Sequence, residues 1–316
     1  MKRLSDMIRD SKNEGVGRRG FLQKLGAAAL VSLLPLDDSV ASGVIKKDHL
    51  RVLTCNIRVD LEEDAAKGLG WQQRRAACLE VIKRQRPDVI GFQEVLYNQF
   101  IDIKNAMPEY YAFGFDGPEM DSIKTGYHGI AKNPIFFSKK RFELLAAGAY
   151  WLSETPLIGG SISWGSARAR NACWVRLYDR YRKKEFRLVN LHLDHVNAEA
   201  KLKQVAVVLD ESAQYAEGFV QIMTGDFNVG PESQVHQKVL SAGWKDTFID
   251  LHGTKDFGGT THGFKGEQYE KKDRAKKIDF IFTKGPVVPK TSVIVKDDDK
   301  GIYPSDHYFL LAELEL

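Results

Sequence analysis

Eight polar side chains of this sequence stand where apolar runs stop. Asn56 closes the run over residues 50–57, Glu94 the run over 88–94 and His192 the run over 186–193. Asp226 and Asn228 follow the run over 219–224, Asp279 opens that over 278–283, and Asp306 and His307 precede that over 308–314. A lone polar residue in such a place is usually a cap or a satisfied core group. Eight of them, of types that suit one reaction, point to a shared task.

The task those types suit is hydrolysis at phosphorus. Water must reach a centre shielded by negative oxygens, and a hard cation with oxygen ligands relieves that repulsion. Glu94, Asn56 and Asp306 offer the carboxylate and amide oxygens for Mg²⁺, and Mn²⁺ suits the same donors. His192 and Arg170 can donate to phosphate oxygens, Arg170 in a bidentate fork. The attacking water must lose a proton, and a histidine oriented by a carboxylate, His307 with Asp279, can accept it or stabilise the transition state. The Cys/His spacing of a zinc site and the Gly-rich Walker loop are both missing, which disfavours zinc proteases and nucleotide-loop ATPases.

The elements that must position these residues are short apolar strands and a few long helices. Strands are expected over 50–57, 88–94, 130–138, 144–152, 172–178, 186–193, 219–224, 278–283, 291–295 and 308–314. Helical periodicity runs over 71–86, where Pro87 stops it, and over 97–106 and 197–214; a further helix is expected to begin at Pro231. Neighbouring strands often follow one another without a helix, which favours mixed or antiparallel sheets. Helices can cover only outer faces, so two sheets must bury their inner faces against each other.

The chain has 316 residues, 43% of them hydrophobic, and a formal net charge of +4, too small for a protein that coats nucleic acid non-specifically. The basic run Lys271, Lys272, Asp273, Arg274, Lys276, Lys277 reads either as a solvated loop or as a polyanion contact. Three cysteines make no disulfide framework, and Cys55 and Cys173 fall in apolar runs as small hydrophobes. Residues 1–41 resemble a twin-arginine export signal: Arg18, Arg19, Phe21, Leu22 and Lys24 precede a short apolar stretch, and Ser39-Val40-Ala41 offers a cleavage site. The expected arrangement is that leader followed by one catalytic domain over 42–316, located in the periplasm or secreted. The mature form is expected to have no stable membrane span and to be a monomer.

Six segments, in order, resemble the endonuclease/exonuclease/phosphatase superfamily: Thr54-Cys55-Asn56, Gln93-Glu94, Asn190-Leu191-His192-Leu193-Asp194-His195, Gly225-Asp226-Phe227-Asn228, Ile278-Asp279-Phe280-Ile281 and Ser305-Asp306-His307. Pro134-Ile135-Phe136-Phe137, Trp151-Leu152-Ser153-Glu154-Thr155-Pro156, Arg170 with Trp174, and Thr261-His262-Gly263-Phe264 resemble a bacterial subgroup marked by the Trp-Leu-Ser-Glu-Thr-Pro signature. The resemblance implies an α+β fold, a four-layer α/β/β/α sandwich of two mixed, mainly antiparallel sheets of the DNase I type. It implies Glu94 as principal metal ligand with Asn56 and Asp306 near the ion. Asp226 and Asn228 would orient water and phosphate, His192 would stabilise phosphoryl charge, and Asp279 would hold His307. Either Asp226 or His307 would take the proton. His262 and Arg170 would contact substrate. Two departures bear on substrate preference: Gly129-Ile130-Ala131 replaces a Gly-Glu pair common in related sequences, and Ala169-Arg170 replaces a Pro-Arg pair.

The expected function is therefore an exported Mg²⁺-dependent phosphoester hydrolase acting on nucleic acid or a small molecule. The alternative is a non-catalytic phosphate-ligand or carbohydrate-binding protein on the same scaffold. No apolar hairpin for lipid docking stands out in the sequence. Lys277-Ile278-Asp279-Phe280 departs from the Trp-Cys-Asp-Arg type of segment found in inositol-phosphate phosphatases.

Overall fold

The period-two alternation of each strand is what builds the core. In β1 (Leu50–Asn56), Leu50 and Val52 face one apolar cluster while Leu53 and Cys55 face another. β2 (Val89–Gln93) divides in the same way, with Val89 on one side and Ile90 and Phe92 on the other. β7 (Lys184–His192) and β8 (Gln221–Asp226) send Phe186, Leu188 and Ile222 inward, and Val189, Leu191 and Met223 outward. The computed structural model describes residues 49–114, 131–256, 258–269 and 277–316. The leader, Gly129, Ile130 and Lys271–Lys276 lie outside the described residues.

The other strands are β3 (Tyr110–Phe113), β4 (Ile135–Ser138), β5 (Phe142–Trp151), β6 (Asn171–Asp179), β9 (Lys245–Asp246), β10 (Asp279–Lys284), β11 (Val288–Val295) and β12 (Phe309–Glu315). They form two six-stranded sheets, ordered β11-β12-β1-β2-β4-β3 and β5-β6-β7-β8-β10-β9. Each sheet has one parallel pair at its centre, β1/β2 in the first and β7/β8 in the second. The remaining pairs are antiparallel, as in β1/β12 and β8/β10.

The inner faces meet in a shared core that includes Val89, Phe137, Val175, Leu188, Ile222, Ile281 and Leu310. On the outer face of the first sheet, α2 (Trp71–Gln85) and α3 (Tyr97–Ala106) cover Leu53, Ile90 and Phe92 with Trp71, Cys78, Val81, Ile82, Phe100 and Ile103. On the second, α4 (Ala198–Ser212) and α5 (Gln234–Ser241) cover Val189, Leu191 and Met223 with Val205, Val208, Leu209, Val235 and Val239. This is the four-layer α/β/β/α sandwich expected from the sequence. α2 stops at a left-handed Arg86 just before Pro87, while Asn197 caps α4 through the amides of Glu199 and Ala200. The helix expected at Pro231 begins later: Ser233 caps α5 by accepting from His236, and Pro231 stays in the preceding turn. Two short helices, α1 (Glu62–Ala65) and α6 (Thr247–His252), complete the set.

Topology places the chemistry. β1, β2, β7 and β8 all run toward one end of the sandwich, so Asn56, Glu94, His192 and Asp226 meet there. β10 and β12 run the opposite way, so the same end receives the residues that begin them, Asp279 and, just before β12, His307. Asp226 sits in register with both His192 and Asp279 across its two neighbouring strands.

Candidate active site

Along the inner faces the residues change from apolar to polar toward the site end. Behind the cleft, Gln93 donates to Asn190 Oδ1 at 2.6 Å and to Thr54 Oγ1 at 3.0 Å. Thr224 donates to the same Asn190 oxygen at 3.0 Å, and Asn190 Nδ2 donates to the Phe92 carbonyl at 2.7 Å. These buried amides and hydroxyls stitch the two sheets together where an apolar contact would allow slippage. Gly91 makes the close approach possible: a Cβ there would lie 2.4 Å from Thr224 Oγ1 and 2.5 Å from Asn190 Oδ1.

In front of this seam stand the reactive groups. Asn56 Nδ2 bridges Glu94 Oε1 at 3.0 Å and Asp226 Oδ2 at 2.9 Å. Its Oδ1 accepts the Arg58 amide at 2.9 Å, which fixes the amide's orientation. Asn56 thus turns its NH₂ to the carboxylates, whereas a metal ligand would present its oxygen there. The Val59 amide donates to Glu94 Oε2 at 2.8 Å. Arg58, Glu94 and Asn228 all hold positive φ, between 52° and 64°, a conformation costly for non-glycine residues and concentrated at functional sites.

His307 Nδ1 donates to Asp279 Oδ2 at 2.9 Å, and its Nε2 lies 4.0 Å from Asp226 Oδ2. Burial opposes the charge on His307, but Asp279, with Asp306 and Asp226, overcomes it and holds the imidazole well above its ordinary value. His307 is a cation near neutral pH. Burial, then the Asp279 charge, push the Asp226 carboxyl up as well, to about 7. Burial also opposes ionisation of Glu94, yet His307, the Val59 amide, Asn56 and Arg58 together lower its carboxyl below the ordinary range. His192 is neutral, driven well down by burial and by Arg170 and His307. Asn228 Nδ2 donates to His192 Nε2 at 2.9 Å and to the Leu193 carbonyl at 3.1 Å, which leaves the imidazole proton on Nδ1.

Glu94, His192, Asp226, Asn228, Asp306 and His307 line one cleft of about 340 Å³. Arg58, Arg168, Arg170 and His195 line it too, so guanidinium and imidazole groups stand beside the carboxylates. Arg58 is engaged by Asp64 at 2.8 Å and Asp306 at 3.6 Å. Ligand atoms of Glu94, His192 and Asp226 lie within 4.8 Å of one another, as do those of Asp226, Asp279 and His307. Asn56 and Asp279 do not line the cleft but hydrogen-bond residues that do: Asn56 reaches Glu94 and Asp226, and Asp279 holds His307.

His262 is placed differently from the substrate contact expected of it. It is buried behind His307, stacked on Tyr308 with ring centres 4.0 Å apart, and is absent from the cleft lining. Gly266 donates to its Nδ1 at 3.0 Å, and its own amide donates to the Asp306 carbonyl at 2.8 Å. Lys277 also differs from a solvated loop residue: it is buried and paired with Asp246 at 3.4 Å.

Three supports were not visible in the sequence. Arg74, buried on α2, donates to the carbonyls of Ile57, Arg58, Leu69 and Pro304 and so ties the loop after β1 to the loop before His307. Thr260 Oγ1 accepts the amides of Ile278 and Asp279, while its carbonyl accepts Tyr308, holding both ends of the Asp279–His307 pair. Asp194 accepts the amides of Val196 at 3.0 Å, Asn197 at 2.7 Å and Ala167 at 2.9 Å, and the Ser166 hydroxyl at 3.2 Å. It fixes the segment that leads into Arg168 and Arg170. An arginine on a helix or an aspartate in a loop ordinarily reads as solvent-facing.

The stacked sheets and the cleft at their common end define a fold class, the DNase I-like α/β/β/α sandwich. A profile of the Endonuclease/Exonuclease/phosphatase family matches residues 53–307, and the chain belongs to that family, whose members are hydrolases of phosphoester bonds and generally use a divalent metal. An endonuclease/exonuclease/phosphatase from Bacteroides vulgatus is 30% identical with a TM-score of 0.74, over 85% of this chain and all (100%) of that one. A mannosyl-6-phosphatase from Bacteroides thetaiotaomicron is 26% identical with a TM-score of 0.74, over 84% of this chain and 100% of that one. The Ccr4 3'-5'-exoribonuclease subunit of the CCR4-Not complex from Emericella nidulans is 24% identical over 90% of this chain and 54% of its own length. The chain spans about half the length of the curated relatives it matches.

Proposed function

We propose that this chain is an exported hydrolase of phosphoesters that depends on a divalent cation, Mg²⁺ by preference, with Mn²⁺ as a substitute. The observation that carries the reading is the pairing of opposed ionisations 4.0 Å apart: a cationic His307 anchored on Asp279, facing Asp226, whose carboxyl is pushed up to about 7. A carboxylate with that affinity for protons suits removal of a proton from water near neutrality, and a charged imidazole suits donation to developing negative charge. The general base is therefore Asp226, and His307 is the charged donor. Asn228 lines the cleft beside Asp226 and, with both its N–H groups engaged by His192 and the Leu193 carbonyl, has its Oδ1 left to place the water. His192, with Arg168 and Arg170, faces the phosphoryl oxygens.

The donor set fits a hard cation. Crowded buried carboxylates hold Asp226 partly protonated, a cost that a bound positive charge would relieve. Glu94 would hold the ion, with Asp306 at the rim and Asn56 steering Glu94. When bound, the ion supplies neutralisation of the phosphate oxygens and polarisation of the P–O bond.

Residues 1–41, read as a twin-arginine signal, support location in the periplasm or outside the cell, with residues 42–316 as the mature form. No helix among the described residues is long and apolar enough to cross a membrane. The test is hydrolysis of bis(p-nitrophenyl) phosphate and p-nitrophenyl phosphate. Chelator should abolish turnover and Mg²⁺ or Mn²⁺ restore it. Undiminished turnover in excess chelator would remove the cation, and failure to hydrolyse either ester at any metal concentration would favour a binding protein on the same scaffold.

A further inference from the structure

The loop joining β5 to β6 leaves the sandwich beside the cleft. Its tip presents Leu157 93% exposed, Ile158 60% and Ile162 55%, an unusual concentration for one short segment of a water-soluble surface. The neighbouring segment after β7 adds Val196, 65% exposed. This apolar tip was not apparent from the sequence, where the residues are scattered among Ser, Gly, Thr and Pro.

The loop holds its own shape. The Trp151 amide donates to the Pro156 carbonyl at 2.9 Å, Ile158 to Thr155 at 3.0 Å and Ser161 to Ile158 at 3.2 Å. Ser153 and Ser161 hydroxyls share a bond of 2.6 Å, and Trp164 Nε1 donates to Glu154 Oε1 at 3.1 Å. At its base, Leu152 donates to the Arg170 carbonyl at 2.7 Å, and Asp194 grips Ser166 and Ala167. The apolar tip is thus displayed on a fixed platform, and its returning limb ends in Arg168 and Arg170, which line the cleft.

We propose that this loop docks the enzyme on an anionic phospholipid surface, with Leu157, Ile158 and Ile162 entering the acyl boundary and Arg168 and Arg170 meeting head-group phosphates. Two features select a lipid surface over a protein. Four protruding apolar side chains fall well short of the roughly 20–30 residues per side of a stable protein interface, whereas interfacial anchoring needs only a few apolar groups beside cations. The cations stand at the rim of a phosphoester-binding cleft, so charge and apolarity are ordered as in a phospholipid, head group next to tail. Docking would bring the cleft to the level of lipid-anchored phosphoesters, a clause that rests on the hydrolase reading above.

The three native cysteines are buried, so a single introduced cysteine can be labelled alone. In the full chain, Ile158→Cys with an environment-sensitive dye is compared with Lys184→Cys, at the far end of β7. With phosphatidylglycerol vesicles the dye at 158 should shift to the blue and be quenched by spin-labelled acyl chains, and the dye at 184 should not change. The pair Leu157→Asp and Ile158→Asp should weaken vesicle binding by at least about tenfold, while hydrolysis of bis(p-nitrophenyl) phosphate stays within about twofold, since neither residue lines the cleft. A dye at 158 that remains in water, or inserts equally into phosphatidylcholine vesicles, overturns the proposal. So does a wild-type dimer that the double variant converts to monomer. Docking without turnover would leave the loop assignment standing and remove the hydrolase reading.

Discussion

At the residue scale the proposed chemistry rests on two groups, Asp226 and His307, whose surroundings favour the protonated form of both. Asp226 held near 7 means that the working, ionised form is lost as pH falls through that value, so kcat/KM should show an acid limb close to neutrality when metal is limiting. Added Mg²⁺ should move the limb to lower pH, because a positive charge favours the carboxylate. Asp226→Asn and His307→Ala should each lower kcat by at least about a hundredfold. Asp279→Asn removes the charge that sustains the His307 cation, so its signature is a His307 imidazole resonance that titrates at lower pH than in the wild type. Much of this set could be read from residue types at strand ends. The roles could not, because ionisation depends on which charges meet in space. His262 shows the limit: its motif suggested contact with substrate, and the fold places it outside the cleft, stacked on Tyr308 beside a separate cavity.

At the element scale, loops and strand crossings set the precision of the cleft. Asp194 gathers three backbone amides and a hydroxyl from two segments, and its carboxyl is held below the ordinary range, burial opposing and those donors prevailing. Asp194→Ala strands these donors and should destabilise the fold by about 1–3 kcal/mol, while KM rises more than kcat falls, since Arg168 and Arg170 lose their placement. Gly91→Ala forces a methyl group into Thr224 and Asn190 and should cost about 1–3 kcal/mol, read as a lower urea midpoint with an unchanged m-value. Long elements with clear periodicity, such as α2 and α4, were legible. The short ones were not: β3 and β9 are fixed by strands distant in sequence, and α6, of six residues, is too short to show a helical period. The same holds for Arg74, whose acceptor Pro304 is 230 residues away.

At the scale of the whole molecule, the first sheet supplies Asn56, Glu94 and His307, and the second supplies His192, Asp226, Asn228 and Asp279. A ligand bound between them should stabilise the sandwich as a unit. Mg²⁺ at a hundred times its dissociation constant adds about 2.7 kcal/mol, or about 5–10 °C in Tm for a domain of this size. The gain should be larger at pH 8 than at pH 5. Asp226 has a raised carboxyl, so the folded state keeps its proton longer than the unfolded chain, and stability without metal falls as pH rises from the ordinary carboxylate range through about 7. Calorimetry at both pH values with and without Mg²⁺ measures the difference, and an equal gain at both would dissociate metal binding from Asp226.

The position of β12 has a further consequence. This strand, far in sequence from β1, lies between β11 and β1, pairing Leu314 with Leu50 and Leu310 with Thr54. β1 therefore lacks its neighbour on one side until Phe309–Glu315 is in place, and His307 belongs to the same stretch of chain. Removing that stretch would bare one edge of β1 and take His307 from the cleft in a single cut.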